Sequence, residues 1–424
     1  IQIFPHVIDE IKARWKEIAK TSGADVCLIE IGGTAGDWEN QWFIEAARQL
    51  KREVGANNVL YTHATYVPFL QNVQELKTKP AQRDTALLRE KGIIPDILWL
   101  RSDQTIDEKT KKKLSLFCDV EHVVAVPDMK TIYELPLVLK EEGVPAILSS
   151  RLGLLTRDTT EWERLVTRIK NPKNRVTIAL CGKYTDLRDS YASVIEALVH
   201  AGAHLGCGVD IKFVETSELA DFDDTGIHGI LVPGGFGARG AEGKIRMIKH
   251  AREHKIPYLG ICLGLQLAVV EFARNACGLA NAHSTELDPT TKHPVVIYLP
   301  GQTDTTSKGG TMRLGSYLAD LVPGSLAAHL YQNTRATERH RHRYEVNPNY
   351  HEILAQGGLV ISGTSPDKRL AEFIELQNHP FFVASQGHNE FTSRLEKPNP
   401  AFFGFVKAAL LRSSFAPSIP LQPS

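Results

Sequence analysis

With 424 residues the chain is too long for one ordinary core, and its length suggests two domains, or three at most. Forty-nine basic residues balance 49 acidic ones, so no global field draws the protein to nucleic acid or to an anionic membrane, and an anionic ligand must be held by local features. No apolar run approaches the ~18–20 residues of a membrane helix, and the charged first segment excludes a signal peptide.

The chain opens at Ile1, without a methionine and directly in helical periodicity, which leads us to expect further residues upstream. In "FPHVIDEIKARWKEIAK", Val7, Ile8, Ile11, Trp15 and Ile18 fall on one stripe and predict an amphipathic helix. The apolar runs "ADVCLIEIGG", "NNVLYTHATYV", "IPDILWLRSD" and "HVVAVPD" follow, with helical stretches between several of them. Runs without polar alternation suit strands buried on both faces of a parallel sheet, so the first third reads as α/β. A charged helix at "TTEWERLVTRIKNP" precedes "NPKN" (171–174), where a proline among turn formers marks a boundary.

The α/β style then repeats. "VTIALCGKY" and "VDIKFVE" read as strands, "SYASVIEALVHAGA" as a helix, "GILVPGGFG" as strand and loop, and "IPYLGICLGLQLAVVEFARNA" as strand, turn and helix. "HPVVIYL", "RHRHRYEV" and "FFVASQGHNEF" read as strands, and the Ser- and Pro-rich end as a loose tail. The expected domains are 1–155, a linker helix at 156–174, 175–412, and a tail at 413–424. The fold class is α/β, with two doubly wound, mostly parallel sheets. The six cysteines (27, 118, 181, 207, 262, 277) lack the density or pairing of a disulfide or zinc framework, which favours a reducing compartment and a cytoplasmic protein.

Gly260-Ile261-Cys262-Leu263-Gly264 has the spacing of a nucleophile elbow with sulfur in place of the hydroxyl. Glycines suit such a strand-to-helix turn because backbone meets backbone there. The helix start favours a thiolate and offers N–H groups to an oxyanion. The competing reading is a small buried residue at a strand end. "VPGGFGARG" supplies a second glycine-rich loop whose backbone can approach a substrate. In "SQGHNEFTS", His388 and Glu390 stand two apart, so in extended chain they share a face and Glu390 can orient the imidazole. The same alternation in "RHRHR" sends Arg339, Arg341 and Arg343 to one face and His340 and His342 to the other.

"PGGFGARGAEGK", "YLGICLGLQ", "GGTMRLG", "RHRHRYEVN" and "HNEFTS" together resemble the class I glutamine amidotransferase domain of the CTP synthase family. "EIGGTAGD", "KTKPAQ", "PDILWLRSD" and "GKYTDLRDSYASVIEAL" resemble the rest of the same family, so the likeness runs from residue 1 to roughly 410. It implies that Cys262 attacks the side-chain amide of glutamine, with His388 as acid and base, Glu390 orienting it, and oxyanion N–H groups from Gly235 and Leu263. Gln266 and Glu286 match positions that bind glutamine, and Arg343 matches the arginine that holds its carboxylate.

The resemblance also implies amination of UTP to CTP, with ATP and Mg2+ activating the 4-oxygen and ammonia passing from one domain to the other. Lys77, Lys79, Gln82 and Lys113 match positions around UTP, and Glu30 matches a Mg2+ carboxylate. Asp37, Trp38 and Glu39 match the region that reads the pyrimidine of CTP. No organic cofactor is implied. GTP as activator, CTP as inhibitor, a homotetramer and filaments follow from the family, without nucleic acid or membrane partners.

Departures accompany the match. No G-x-x-x-x-G-K-[ST] phosphate loop occurs, so the chain as written is not expected to bind Mg-ATP productively. Ala81 stands for a usual threonine, Arg83-Asp84 for small or neutral residues, Asn389 for a usual proline, and tryptophans for smaller residues in "GDWENQWF". Two alternatives remain: a free-standing glutamine amidohydrolase, and a filament-forming or nucleotide-binding paralogue without turnover.

Overall fold

The computed structural model describes residues 1–183, 188–217, 222–298 and 312–415. The chain divides into two compact units, Ile1–Glu163 and Arg164–Ser424. Residues 184–187 of "GKYTDLRDSY", residue 299 of "HPVVIYL", 309–311 of "GGTMRLG" and 416–424 of the tail lie outside the described residues.

In the first unit, α1 (Ile8–Ser22) and α2 (Gln41–Val54) precede β1 (Thr62–Tyr66), a small antiparallel ribbon of β2 (Phe69–Leu70) and β3 (Glu75–Leu76), and α3 (Lys79–Glu90). Then come β4 (Ile97–Ser102), α4 (Glu108–Cys118), β5 (His122–Pro127), α5 (Leu135–Glu141) and α6 (Val144–Leu152). The sheet is parallel throughout in the order β1-β4-β5, and Ile97, Leu98 and Leu100 are wholly buried. Both faces are covered, which is why β4 carries so little polar alternation.

Three expectations change here. "ADVCLIEIGG" forms no strand: it is irregular and largely exposed, with Leu28 92% accessible, because an apolar run becomes a strand only beside a partner and none of the described strands pairs with it. On α1, Ile8 is buried, but Val7 and Ile18 are exposed, and Lys12 is buried instead, bonded to Gln49 and Glu53 at 2.8 and 2.6 Å. The division between units falls at 163/164 inside α7 (Thr160–Lys170), within the expected 156–174 linker but ahead of the proline turn.

The second unit opens with β6 (Asn174–Gly182), α8 (Ala192–Leu205), β7 (Cys207–Glu215), β8 (Gly229–Val232), α9 (Ala241–Glu253), β9 (Tyr258–Ile261) and α10 (Leu263–Asn275). It continues with β10 (Ala282–Ser284), β11 (His293–Tyr298), β12 (Arg313–Leu321), α11 (Leu326–Tyr331), β13 (Arg335–His342) and β14 (Tyr344–Val346). It closes with α12 (His351–Gln356), β15 (Val360–Thr364), β16 (Ala371–Glu375), β17 (Phe382–Ser385) and α13 (Pro400–Phe415). Among the described residues, nine strands form one sheet in the order β13-β12-β15-β16-β17-β9-β8-β6-β7, and β10, β11 and β14 form a small second sheet. The large sheet is parallel from β17 to β7 and antiparallel from β13 to β17, so only one half has the doubly wound form.

Side chains sort by the two-residue period. Ile230, Val232, Tyr258 and Ala384 pack with α9 and α10, while Leu231, Leu259 and Val383 pack with α8 and α13. Burying each such aliphatic side chain contributes about 1.5–3 kcal/mol, and the two layers explain why β8 is apolar throughout. α13 carries on through 413–415, which were expected to belong to the tail, and Ser413 and Ser414 bond back to Leu410 O. All six cysteines are free, and among the described residues no helix is long and apolar enough to cross a membrane.

Candidate active site

Three adjacent parallel strands end at one edge of the sheet. Val232 on β8 pairs with Gly260 on β9, and Gly260 pairs with Ala384 on β17, so the segments after each strand emerge side by side. This crevice beyond the carboxyl ends of parallel strands is where open α/β sheets bind ligands. It receives the "PGGFG" loop, Cys262 and the "QGHNE" segment.

Cys262 caps α10 with φ 52° and ψ −99°, a left-handed conformation that a side-chain-bearing residue adopts only under constraint. The flanking glycines impose it. A Cβ on Gly264 would lie 2.3 Å from Val232 O, and one on Gly260 would lie 2.6 Å from Tyr258 Oη and 2.8 Å from Ala384 Cβ. The expected reason for glycine at both positions, close backbone approach, is therefore met.

His388 stands beside Cys262, a Cβ on Gly234 meeting both side chains, and its Nδ1 donates to Glu390 Oε1 at 2.8 Å. Burial alone would drive the proton off His388. The bonds to Cys262 and then Glu390, reinforced by their charges, overcome it and raise the pKa to about 10. An imidazolium held between sulfur and carboxylate is therefore the resting form at neutral pH. The pairing is not made in extended chain as the i, i+2 reading supposed, because Asn389–Thr392 is a 3-10 turn that His388 caps.

Asn389 is fully buried, and its Nδ2 donates to Tyr331 Oη at 2.9 Å. Tyr331 in turn bonds Glu338, which also accepts from Thr392 Oγ1 at 2.7 Å and Asn399 Nδ2 at 2.8 Å. A hydrogen-bonded side chain thus holds the turn where the family's proline would restrict the backbone.

Gly235 and Leu263 border the space beside Cys262, since a Cβ on Gly235 would stand 3.6 Å from Leu263 Cδ2. Buried Lys244 lies beneath this loop, and burial, with Lys183 close by, lowers its pKa to about 8. Gln266 is buried, with Nε2 bonded to Tyr344 O and Gln386 Oε1 at 2.9 and 3.2 Å. Glu286 accepts from Gly237 N at 2.9 Å; burial raises its pKa, opposed by that bond and by Lys183 and Arg343. A carboxylate with a guanidinium in its field suits the amino and carboxylate groups of an amino acid.

On β13, His340 and His342 are buried and Arg339 and Arg341 exposed, as the alternation requires. The strand stops at His342, however, so Arg343 leaves the exposed row and is half-buried between β13 and β14. Burial, reinforced by neighbouring positive groups, brings His340 to about 2 and His342 to about 3, so both are neutral.

Gly234, which the sequence did not single out, is pressed hardest against these groups. A Cβ there would lie 2.7 Å from His388 Cε1 and 3.5 Å from Cys262 Cβ. Its backbone needs no left-handed conformation, so Gly234→Ala should leave melting nearly unchanged while displacing the imidazole. Misplacement of that order costs about 100-fold, read as kcat/KM for ammonia release from glutamine. Activity within threefold of the parent would mean that the imidazole has room to move.

In the first unit, Lys77 pairs with Glu75 at 2.6 Å, and Lys113 adds its field at the same carboxylate. Gln82 Nε2 bonds Thr78 Oγ1 at 3.2 Å, and Lys79 stands 5.9 Å from the Phe117 ring. Asp37 folds back onto its own loop, accepting from Thr34 N and Oγ1 at 2.8 Å each, and these bonds lower its pKa. Trp38 is 71% exposed and Glu39 is also exposed. Glu30 is exposed in this irregular segment "ADVCLIEIGG" rather than at a strand end. It stands as a lone carboxylate, and among the described residues no group of three or more His, Cys, Asp or Glu side chains stands together as metal ligands. One carboxylate does not make a Mg2+ site, and no step below runs through the metal.

Family models match both halves: "CTP synthase N-terminus" over residues 1–154 and "Glutamine amidotransferase class-I" over 186–408. The chain is 53% identical over 424 residues to the CTP synthase of Methanococcus maripaludis, covering 97% of this chain and 79% of that protein. It is 49% identical over 434 residues to the CTP synthase of Chloroflexus aurantiacus, covering 100% and 79%. Among solved structures, the glutaminase domain of Trypanosoma brucei CTPS with bound acivicin is similar, at TM-score 0.52 and 36% identity, covering 59% of this chain and 98% of that one.

Proposed function

This chain belongs to the CTP synthase family, glutamine-hydrolysing ligases, and on that premise we propose that its second unit releases ammonia from glutamine at Cys262, His388 and Glu390 and that the ammonia aminates UTP. The supporting observation is that an imidazole fixed by Glu390 at 2.8 Å stands beside Cys262 at a strained elbow.

Arg343 takes the α-carboxylate of glutamine and Glu286 its ammonium, which aims the side-chain amide at Cys262. The sulfur attacks the amide carbon, and the charge moves to the oxygen, where the N–H groups of Gly235 and Leu263 receive it. His388 gives its proton to the leaving nitrogen, and a thioester and ammonia result. Having given up its proton, His388 can then accept one from the hydrolytic water.

UTP occupies the first unit, where Lys77, Lys79, Gln82 and Lys113 meet its phosphates and Asp37, Trp38 and Glu39 lie at the pyrimidine. ATP phosphorylates the 4-oxygen, because a carbonyl oxygen does not depart unaided, and ammonia displaces that phosphate. Mg2+ accompanying ATP, GTP activation, CTP inhibition, a homotetramer and a cytoplasmic location belong to this same reading.

The test supplies glutamine or ammonium chloride to this chain, and to a chain extended to the full length of its relatives, with UTP, ATP and Mg2+. CTP from both nitrogen sources in the extended chain is the expected outcome. Glutamine hydrolysis without CTP from either source would leave an amidohydrolase and overturn the amination reading.

A further inference from the structure

The register that assembles the three segments also brings an unassigned side chain against the nucleophile. Gly260 pairs with Ala384, so the residues two further along, Cys262 and Gln386, leave β9 and β17 at the same level. Both backbones are held there, Cys262 N bonding Ser385 O at 2.7 Å and Gln386 N bonding Glu372 O at 2.8 Å. Gln386 is wholly buried, and its Nε2 lies 3.6 Å from Cys262 Sγ.

Which end of that amide faces sulfur is decided further away. Gln266, on α10, bonds Tyr344 O at 2.9 Å and Gln386 Oε1 at 3.2 Å, both through Nε2. A main-chain carbonyl only accepts, so Gln266 must turn its nitrogen towards Tyr344. That nitrogen has two hydrogens, and the second takes the oxygen of Gln386, which leaves Gln386 its nitrogen for the sulfur. Both donors of Gln266 are then committed, so it can offer a bound glutamine only its carbonyl oxygen.

We propose that Gln386 is a catalytic residue of the glutaminase site, its amide N–H donating to the sulfur of Cys262 and aimed there by Gln266 and the carbonyl of Tyr344. The inference rests on the reading of Cys262 as the nucleophile. The donor supports the negative charge that the sulfur carries as it attacks. Attack forms the S–C bond and moves the charge to the substrate oxygen; hydrolysis breaks that bond, and the donor again receives the sulfur as leaving group. Gln386 itself makes and breaks no covalent bond. Because Tyr344 directly follows Arg343, the chain of amides also runs from the nucleophile to the segment that carries the carboxylate-binding guanidinium.

The probe is iodoacetamide, with labelling of Cys262 followed peptide by peptide across pH and exposed Cys27 as internal reference. Gln386→Glu keeps the shape and the oxygen that Gln266 holds but removes the donor. It should move the Cys262 labelling midpoint up by about one pH unit, slow labelling about tenfold below it, and cut kcat about tenfold with little change in KM. Gln266→Leu leaves Gln386 in place but unaimed and should act in the same direction, less strongly. Cys27 should be unaffected in both.

A labelling midpoint and kcat within twofold of the parent in Gln386→Glu overturn the proposal. Should that variant fail to fold by thermal denaturation, Gln266→Leu decides it, with an unchanged midpoint and kcat again overturning it. Parent Cys262 labelling no faster than Cys27 at neutral pH is a separate result: it removes the nucleophile reading and this inference with it.

Discussion

Cys262→Ala abolishes glutamine hydrolysis, by roughly 10^4- to 10^6-fold, because removing the nucleophile leaves only binding and oxyanion contacts to act on the amide. Ammonia release in a coupled assay measures it, and residual activity above about 1% would show that another group attacks. The elbow makes a second comparison informative. Alanine keeps a Cβ at φ 52°, where such strain costs about 1–3 kcal/mol. Cys262→Gly removes that strain but gives back about 0.5–1 kcal/mol through the freer unfolded chain. The glycine variant should be as inactive as the alanine variant yet more stable, melting about 2–4 °C higher per kcal/mol in a unit of this size. Melting at or below the alanine variant would show that the sulfur's position is not maintained against strain.

Glu390→Gln has the other large effect, on pH dependence as well as rate. His388 is raised to about 10, above its unfolded value near 6.5. A raised group stabilises the fold fully below the unfolded value, and that contribution is lost as pH rises through the folded one. The acid that protonates the departing nitrogen persists over the same range, so kcat/KM for glutamine should hold through neutral pH and fall only towards about pH 10. Glu390→Gln takes away one of the two partners that raise His388, so this alkaline limb should move to lower pH. The rate should also drop about 10^4-fold, as when a triad carboxylate becomes an amide. An alkaline limb near pH 7 in the parent, or one that Glu390→Gln leaves in place, would mean that Glu390 does not hold the proton on His388.

The parts of the site that short spacing encodes were legible. Gly260 and Gly264 around Cys262 state a local steric demand, and the structure meets it with backbone 2.3 Å from a Cβ that glycine lacks. The alternation of buried histidines and exposed arginines on β13 is equally local. Where a pattern needed a partner, the reading went astray. "ADVCLIEIGG" has strand composition and forms none, because pairing rather than apolarity makes a strand. Arg343 left the exposed row because β13 ends one residue before it. Asn389 stands for a usual proline, and what restrains it is a buried bond to Tyr331, 58 residues away in the chain.

By itself, then, the sequence determined the chemical groups and the turns that carry them: a cysteine on a glycine elbow, a glycine-rich donor loop, and a histidine and a glutamate two residues apart. Only the tertiary structure set His388 against that cysteine and brought Gly234 and Gln386 beside it. The physical reason is that a two-residue period fixes the face of a strand but not its neighbour or its register. Setting Val232, Gly260 and Ala384 level required pairing between strands distant in sequence, β9 and β17 lying more than a hundred residues apart, and it is that alignment that turns three separate loops into one site.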